Sequence, residues 1–160
     1  MKKKIVLISA ALVVFASVEA FSFGIGLRGN FGYGFGGGGS LLFSPNDKLH
    51  IGASYYMGED LHSVGLTADY WLFEKDLRSV GKGSLNFYLG FGLYSWISFP
   101  KDEDTEGGLG IRVPIGLDLN FDPLDFFVEM APQLGLSLLP SPSLGGSWFN
   151  AAIGFRFWIN

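Results

Sequence analysis

The chain has 160 residues, 24 of them glycine and 16 phenylalanine, while charged residues account for only 16%. This composition argues against an ordinary soluble domain, and the absence of cysteine excludes disulfides and thiolate metal sites. The formal net charge of −4 argues against nucleic acid as a partner, because binding to phosphates requires a basic surface.

The N-terminus has the features of a secretory signal peptide. A basic start at Lys2–Lys4 precedes an almost unbroken apolar run, Ile5–Val18, and a suitable cleavage site, Val18-Glu19-Ala20. The alternative is a membrane-anchoring helix, but the run is shorter than the ~20 apolar residues that a span needs. We therefore predict a signal peptide over residues 1–20 and one domain over 21–160. Removing three Lys and one Glu gives this domain a net charge of −6.

The rest of the chain alternates apolar and polar residues with a period of two, which is typical of strands with one apolar face. From Phe21 to Tyr33 the odd-numbered residues, except Gly29, are apolar, while the even-numbered residues are Gly, Ser, Asn or Arg. The same pattern returns seven times, least clearly in the second segment. The predicted strands are Phe21–Tyr33, Gly38–Phe43, Leu49–Met57, Ser63–Leu72, Leu85–Tyr94, Leu109–Asn120, Phe126–Gly135 and Phe149–Ile159.

Turn-forming clusters separate these strands, so consecutive strands should pair antiparallel. The predicted turns are Ser44–Asp47, Gly58–Asp60, Phe73–Gly83, Pro100–Gly108, Asp122–Asp125 and Pro140–Gly146. Eight strands place both termini on one side, which is the periplasmic side in bacterial outer-membrane barrels. The predicted outer loops are then Gly34–Ser40, Gly58–Asp60, Pro100–Gly108 and Ser137–Gly146.

The apolar face of the sheet is predicted to point outward, against lipid. Eight strands leave an interior just wide enough for side chains, so an interior holding most of the Phe, Leu and Ile residues would be overpacked. The polar face is almost free of Lys and Glu, unlike a soluble surface. No apolar stretch after residue 20 is long enough for a membrane helix. We therefore predict an all-β, eight-stranded antiparallel up-and-down transmembrane barrel, closed because unpaired backbone groups are costly in hydrocarbon.

Aromatic residues near strand ends suit interfacial girdles. The candidates are Phe21, Tyr33, Tyr55, Tyr70, Trp96, Trp148 and Trp158, although parity points the three Trp residues inward or to the rim. Pro114 and Pro132 each remove a ladder hydrogen bond, so we expect a bulge or distortion at both.

The same parity predicts which charged residues face the lumen. They are Arg28, Asp69, Arg112, Asp118, Glu129 and Arg156, three basic and three acidic. On neighbouring strands Glu129 should lie between Arg112 and Arg156, and closure should bring Arg28 beside the eighth strand. An unpaired charge in so narrow a lumen is costly, so we expect an ion-pair network. It acts either as a structural plug or as a gate for small solutes.

One predicted outer loop carries four acidic residues, Asp102, Glu103, Asp104 and Glu106. It could bind cations or a basic partner protein. The segment lacks the spacing and the glycine of an EF-hand, which favours a solvated anionic loop without a bound metal.

Two features imitate catalytic motifs. Gly24-x-Gly26-x-x-Gly29 has the letters of a dinucleotide fingerprint but lies inside a strand instead of between a strand and a helix. His50 and His62 could serve a lipid-modifying enzyme, yet Ser63 follows His62 directly and so points to the opposite face. We expect His62 at the interface or in a loop and His50 in the lumen near the periplasmic rim. The sequence indicates no enzyme and no cofactor.

With these features, the mature region resembles the small eight-stranded outer-membrane barrels typified by the OmpA transmembrane domain and OmpX. Three segments are similar to an uncharacterised family of bacterial OmpA-like barrels: Gly110–Leu117, Phe127–Pro132 and Ala152–Phe157. The resemblance implies a monomeric barrel with exposed loops, which in some relatives bind host proteins. It also implies that Arg112, Glu129 and Arg156 are structural residues of the lumen. One departure is that the chain ends on Ile159 and Asn160, whereas such barrels end on an aromatic residue that the assembly machinery recognises.

Three functions follow as hypotheses. The first is an outer-membrane protein, exported through the periplasm, that contacts lipid with its wall and host or extracellular proteins with its loops. The second is a narrow channel or carrier for small solutes, as in OmpW-like barrels. The third and weakest is a lipid-modifying outer-membrane enzyme.

Overall fold

The computed structural model describes residues 22–32, 36–58, 60–145 and 148–159. The predicted signal peptide, Phe21 and Tyr33 lie outside these residues. No helix long and apolar enough to cross a membrane occurs in the described ranges. Within them the chain forms ten strands: β1 (Phe23–Gly32), β2 (Gly36–Ser44), β3 (Leu49–Met57), β4 (Leu61–Val80), β5 (Gly83–Pro100), β6 (Glu106–Arg112), β7 (Ile115–Phe121), β8 (Leu124–Leu139), β9 (Ser143–Gly145) and β10 (Phe149–Ile159).

The strands form one closed antiparallel sheet. From β1 to β6 each strand pairs with the next in the chain, β7 pairs with β8 and β8 with β9, and β1 pairs with β10, from Phe23 opposite Ile159 to Gly32 opposite Asn150. Both β6 and β7 lie between β5 and β8, and both β9 and β10 lie along β8. Each of these two pairs is one interrupted strand, so the described residues form a ring of eight. The predicted up-and-down barrel is confirmed. We call the end with Phe23 and Ile159 the terminal end and the opposite end the distal end.

The predicted distortion at Pro114 is confirmed, because β6 ends at Arg112 and β7 begins at Ile115. The backbone groups around this break still find partners, since the N–H of Gly90 donates to the Pro114 carbonyl over 2.8 Å. The distortion predicted at Pro132 does not occur in the strand that contains this residue, because β8 runs through Pro132 without a break. Pro132 lies opposite Phe149, where the pairing of β8 with β10 ends, so the interruption falls in the partner strand.

The predicted turn Phe73–Gly83 was wrong, because β4 continues to Val80 and β5 begins at Gly83. Only two residues lie between them, and the first, Gly81, has a φ of +61°, which favours glycine. The register shifts twice along this hairpin, between Trp71 and Phe73 and between Asp76 and Arg78. Each shift inserts a residue and reverses the alternation, so the sequence loses its period of two although the strands stay paired.

Three predicted outer loops were too long. The described strands begin or end inside each of them: β2 begins at Gly36, β5 extends to Pro100, β6 begins at Glu106, β8 extends to Leu139 and β9 covers Ser143–Gly145. Composition suggested loops because Gly, Ser and Pro are frequent there. The backbone N–H and C=O groups of these segments nevertheless form hydrogen bonds with neighbouring strands. In a glycine-rich segment, which has few side chains to pack, this backbone pairing determines the structure.

The apolar face of the sheet points outward, as predicted. The outward side chains are half or more exposed in many places, including 67% for Leu41, 58% for Leu66 and 57% for Leu93. Further outward residues are Ile25, Leu27, Phe31, Ile51, Val64, Phe91, Ile111, Val128, Met130, Ile153 and Phe157. Exposing such a continuous apolar surface to water is unfavourable, whereas contact with the hydrocarbon of a bilayer is not.

The aromatic candidates for the interfacial girdles divide into two groups. Tyr55 and Tyr70 are exposed on the outward face, in agreement with a place at the interface, and Trp148 is exposed just before β10. Trp96 is buried in the lumen and Trp158 is half-buried, with its indole N–H donating to Asp125. These two positions follow the parity of their strands, and neither residue belongs to a girdle.

Candidate functional site in the barrel lumen

The lumen contains all six charged residues that the alternation assigns to it, each 6% exposed or less. Asp125 joins them at 2% exposure. The sequence interpretation missed Asp125 because it placed this residue in a turn. In the structure β8 begins at Leu124, so Asp125 has the same parity as Phe127 and Glu129 and faces inward with them.

Four of these residues form a central cluster: Arg28, Asp69, Arg112 and Glu129. The Arg112 guanidinium lies 2.5 Å from the Glu129 carboxylate and 3.4 Å from Asp69. Arg28 lies 3.7 Å from the same Glu129 oxygen and donates to the Thr67 hydroxyl over 3.3 Å. The two positive charges therefore share two carboxylates, and the cluster is electrically balanced.

The other three form a terminal cluster of Arg156, Asp118 and Asp125. One guanidinium nitrogen of Arg156 lies 3.0 Å from Asp118 and 3.5 Å from Asp125. The expectation that Glu129 lies between Arg112 and Arg156 is confirmed for Arg112, with which it pairs, and was wrong for Arg156. The register places Asp125 opposite Arg156 and Glu129 opposite Ala152, so Glu129 lies deeper in the barrel and pairs with Arg28 and Arg112.

An aromatic layer separates the two clusters. The ring of Trp71 stacks on the ring of Tyr88 with centroids 3.8 Å apart, and the Arg156 guanidinium lies 4.6 Å from the Trp71 ring. The Tyr88 hydroxyl donates to Glu129 over 3.1 Å and so connects this layer to the central cluster. Leu42 and Phe127 complete the layer as buried apolar neighbours. Charges and rings together fill the lumen between its two ends.

Inward-facing glycines leave room for these large side chains. A Cβ atom on Gly116 would overlap the Tyr88 ring and the Val128 carbonyl, and one on Gly154 would lie 2.6 Å from Phe127. Tyr88 is 0% exposed, and its hydroxyl is held by Glu129. The glycines of the polar face are therefore required by packing.

Replacing Gly116 with alanine should lower the free energy of unfolding by about 1–3 kcal/mol, the cost of overpacking a well-filled interior. Urea titration in detergent micelles, followed by tryptophan fluorescence, measures this change. The control is Gly39→Ala, because Gly39 faces outward with nothing within 4 Å. This variant should stay within about 0.5 kcal/mol of the parent. Equal losses in both variants would contradict a tightly packed lumen.

In the part of the chain that the structure describes, the distal half of the lumen is polar but uncharged. Ser63 and Ser98 share a hydrogen bond of 2.6 Å, and the Asn30 amide donates to Ser40 over 2.5 Å. A cavity of about 40 Å³ lies above Arg112, beside Tyr94 and other polar residues. This volume is enough for one or a few water molecules and for no larger solute.

Neither histidine forms a catalytic set. His62 is exposed and hydrogen-bonds to Tyr55 over 3.0 Å, while Ser63 points into the lumen. The sequence interpretation missed a pair between Ser44 and His50, whose Oγ and Nδ1 atoms are 2.7 Å apart. Arg156 donates to the same Nδ1 atom over 2.8 Å, so a cation engages the ring nitrogen that would have to take the serine proton. Ser44 is 0% exposed, which closes it to substrate.

The acidic residues of the predicted outer loop lie apart from the lumen clusters. Asp102, Glu103 and Asp104 are exposed between β5 and β6, and Glu106 is exposed at the start of β6. No group of three or more His, Asp or Glu side chains within the described ranges is arranged to hold a metal ion. This segment is therefore a charged distal surface.

The closed sheet, the apolar exterior and the ionic interior define a class, the small eight-stranded β-barrel of the membrane type. No protein-family model matches the chain, and no curated protein matches it. Among solved structures it is similar to the crystal structure of the N-terminal β-barrel domain of Pseudomonas aeruginosa OprF, with a TM-score of 0.51 and 21% identity. The similarity covers 86% of this chain and 97% of that domain. At this identity the similarity concerns the fold alone.

Proposed function

We propose that this protein is an outer-membrane barrel with a closed lumen, which anchors its distal loops at the cell surface for contact with host or extracellular proteins. The observation that carries the proposal is the packing of the lumen: among the described residues, the aromatic layer contacts the central cluster through Tyr88 and Glu129 and the terminal cluster through Trp71 and Arg156. The protein would be exported with the predicted signal peptide and would work as a monomer without a cofactor. The small OmpA-like barrels are the family it would belong to.

The distal surface supports an interaction role. Exposed acidic residues follow β5, and exposed apolar side chains lie on the neighbouring β8–β9 hairpin, where Leu144 is 72% exposed. A partner with a basic patch beside an apolar one would complement this surface, because charge complementarity steers association while apolar burial stabilises the complex.

Protease treatment of intact cells tests the proposed placement. Cuts should fall within Lys101–Thr105, the exposed distal segment between β5 and β6. The matched control is the terminal hairpin turn at Gly81–Lys82, which should be cut only after the outer membrane is opened. Cleavage at Gly81–Lys82 in intact cells would reverse the proposed orientation.

A narrow channel is the second candidate, because the lumen has a cavity of about 40 Å³ on its distal side and one of about 390 Å³ at its terminal end. Among the described residues, the two clusters and the aromatic layer lie between them. Planar-bilayer recordings of refolded protein distinguish the two functions. We expect no openings from the parent, from Arg112→Ala or from Glu129→Ala. Regular openings of the parent that change in either variant would support the channel instead.

A further inference from the structure

The buried charges of the lumen do not balance. Among the described residues, three buried arginines face four buried carboxylates. The central cluster pairs two with two, so the excess negative charge belongs to the terminal cluster, where Asp118 and Asp125 share Arg156. His50 adds no positive charge, because its Nδ1 atom accepts a hydrogen bond from Arg156, which a protonated ring nitrogen could not do.

The excess charge lies beside a cavity of about 390 Å³ at the terminal end, which we call the terminal vestibule. Its floor contains the terminal cluster, and its exposed rim adds three more carboxylates, those of Asp47, Glu74 and Asp122. Arg156 is the one positively charged side chain among the described residues of the lining. A buried negative charge that remains uncompensated costs several kcal/mol, so the vestibule strongly favours a cation.

A second observation points to a missing partner. Asp125 lines the vestibule and is 2% exposed, yet its Oδ1 atom has no hydrogen-bond partner, while Oδ2 accepts from Trp158. Buried carboxylate oxygens are normally satisfied, and an orphan one in a cavity wall is a position for a donor from a ligand.

The lining favours an organic cation over a metal ion. No three acidic or His side chains in the described ranges are close enough together to chelate a metal, and the cavity is in the size range of small-molecule sites. Trp71 and Trp158 contribute aromatic rings to the lining, and the guanidinium of Arg156 already lies 4.6 and 5.7 Å from these rings. Aromatic rings beside carboxylates are the combination that binds ammonium and guanidinium groups.

We infer that the terminal vestibule binds a small organic cation with ammonium or guanidinium groups, of the linear polyamine type. One group would donate to Asp125, and the others would lie among the rim carboxylates of Asp47, Glu74 and Asp122. This inference does not depend on the proposed surface role, because the vestibule lies at the opposite end from the distal loops.

Spermidine titration of the refolded protein in zwitterionic detergent, at constant ionic strength, tests the inference. Calorimetry should show saturable binding to one site, and tryptophan fluorescence should change because Trp71 and Trp158 line the cavity. In the double variant Glu74→Gln/Asp122→Asn, affinity should fall at least about fivefold, as expected for the loss of two exposed ion pairs. Both residues lie on the rim, outside the ion clusters, so folding should be retained.

The matched control is Asp102→Asn/Asp104→Asn, which removes the same charge at the distal end and should change affinity less than about twofold. Asp125→Asn should weaken binding by about tenfold or more, because it removes the buried excess charge. Absence of saturable binding to the parent, or equal losses in the rim and distal variants, would overturn the site. Magnesium binding as tight as spermidine binding would overturn the assignment to an organic cation.

Discussion

Replacing Glu129 with glutamine should lower the free energy of unfolding by about 3–5 kcal/mol, the cost of leaving buried charges without their counter-ion. Glu129 is the shared partner of Arg28 at 3.7 Å and of Arg112 at 2.5 Å, and it also accepts from Tyr88. Glutamine keeps the shape of the side chain but removes its charge, so two guanidinium groups would then face Asp69 alone. Urea titration in detergent micelles, followed by tryptophan fluorescence, gives the change.

Glu106→Gln is the matched control for this prediction. Glu106 is exposed at the start of β6, and its charge is solvated at the distal end. The same chemical change should therefore alter stability by no more than about 0.5 kcal/mol. A Glu129→Gln variant as stable as this control would show that the central cluster contributes little, and the lumen would then be held by its aromatic layer.

An arginine at Leu93 should destabilise the folded, membrane-inserted protein by about 2–4 kcal/mol, the cost of a charge at the midplane of a bilayer. Leu93 is 57% exposed on the outside. It follows Gly92, whose register partners are Asp69 and Arg112 of the central cluster, so it lies at the level of the middle of the lumen. Folding titrations in phospholipid vesicles measure the difference from the parent.

Leu144→Arg provides the comparison, because Leu144 is 72% exposed in β9 at the distal end. Near the interface the same substitution should cost only about 0–1 kcal/mol. This pair of variants tests the environment of the outer surface directly. If both arginines were neutral and the protein remained folded without detergent or lipid, water would be the solvent of the apolar face, and the membrane interpretation would be wrong.

Strand alternation determined which side chains share a face. All six charged residues that alternation predicted for the lumen, from Arg28 in β1 to Arg156 in β10, face inward in the structure. This agreement has a simple cause: the side-chain period of a strand is two, and it needs no knowledge of the neighbouring strand. Because the interior of an eight-stranded barrel is too small for the Phe, Leu and Ile side chains of all the strands, the apolar face had to point outward.

Alternation failed where the backbone departs from a regular strand. The register shifts near Trp71 and Asp76 concealed the continuation of β4, and a turn-rich composition concealed that Asp125 belongs to β8. The second of these errors mattered most for the site. Without Asp125, the charges of the lumen balance and nothing indicates a cation at the terminal end.

The sequence by itself determined the strand faces of the regular strands, the closed barrel and six of the seven charges in the lumen. Only the tertiary structure decided which charges pair, because pairing depends on the register between strands that tilt and close into a ring. A shift of four residues along β8 separates Asp125, which lies opposite Arg156, from Glu129, which lies opposite Ala152. Asp125 and Glu129 both face the lumen, because they are four residues apart and alternation has a period of two. Which of them lies opposite Arg156 therefore depends on the hydrogen-bonded register between β8 and β10.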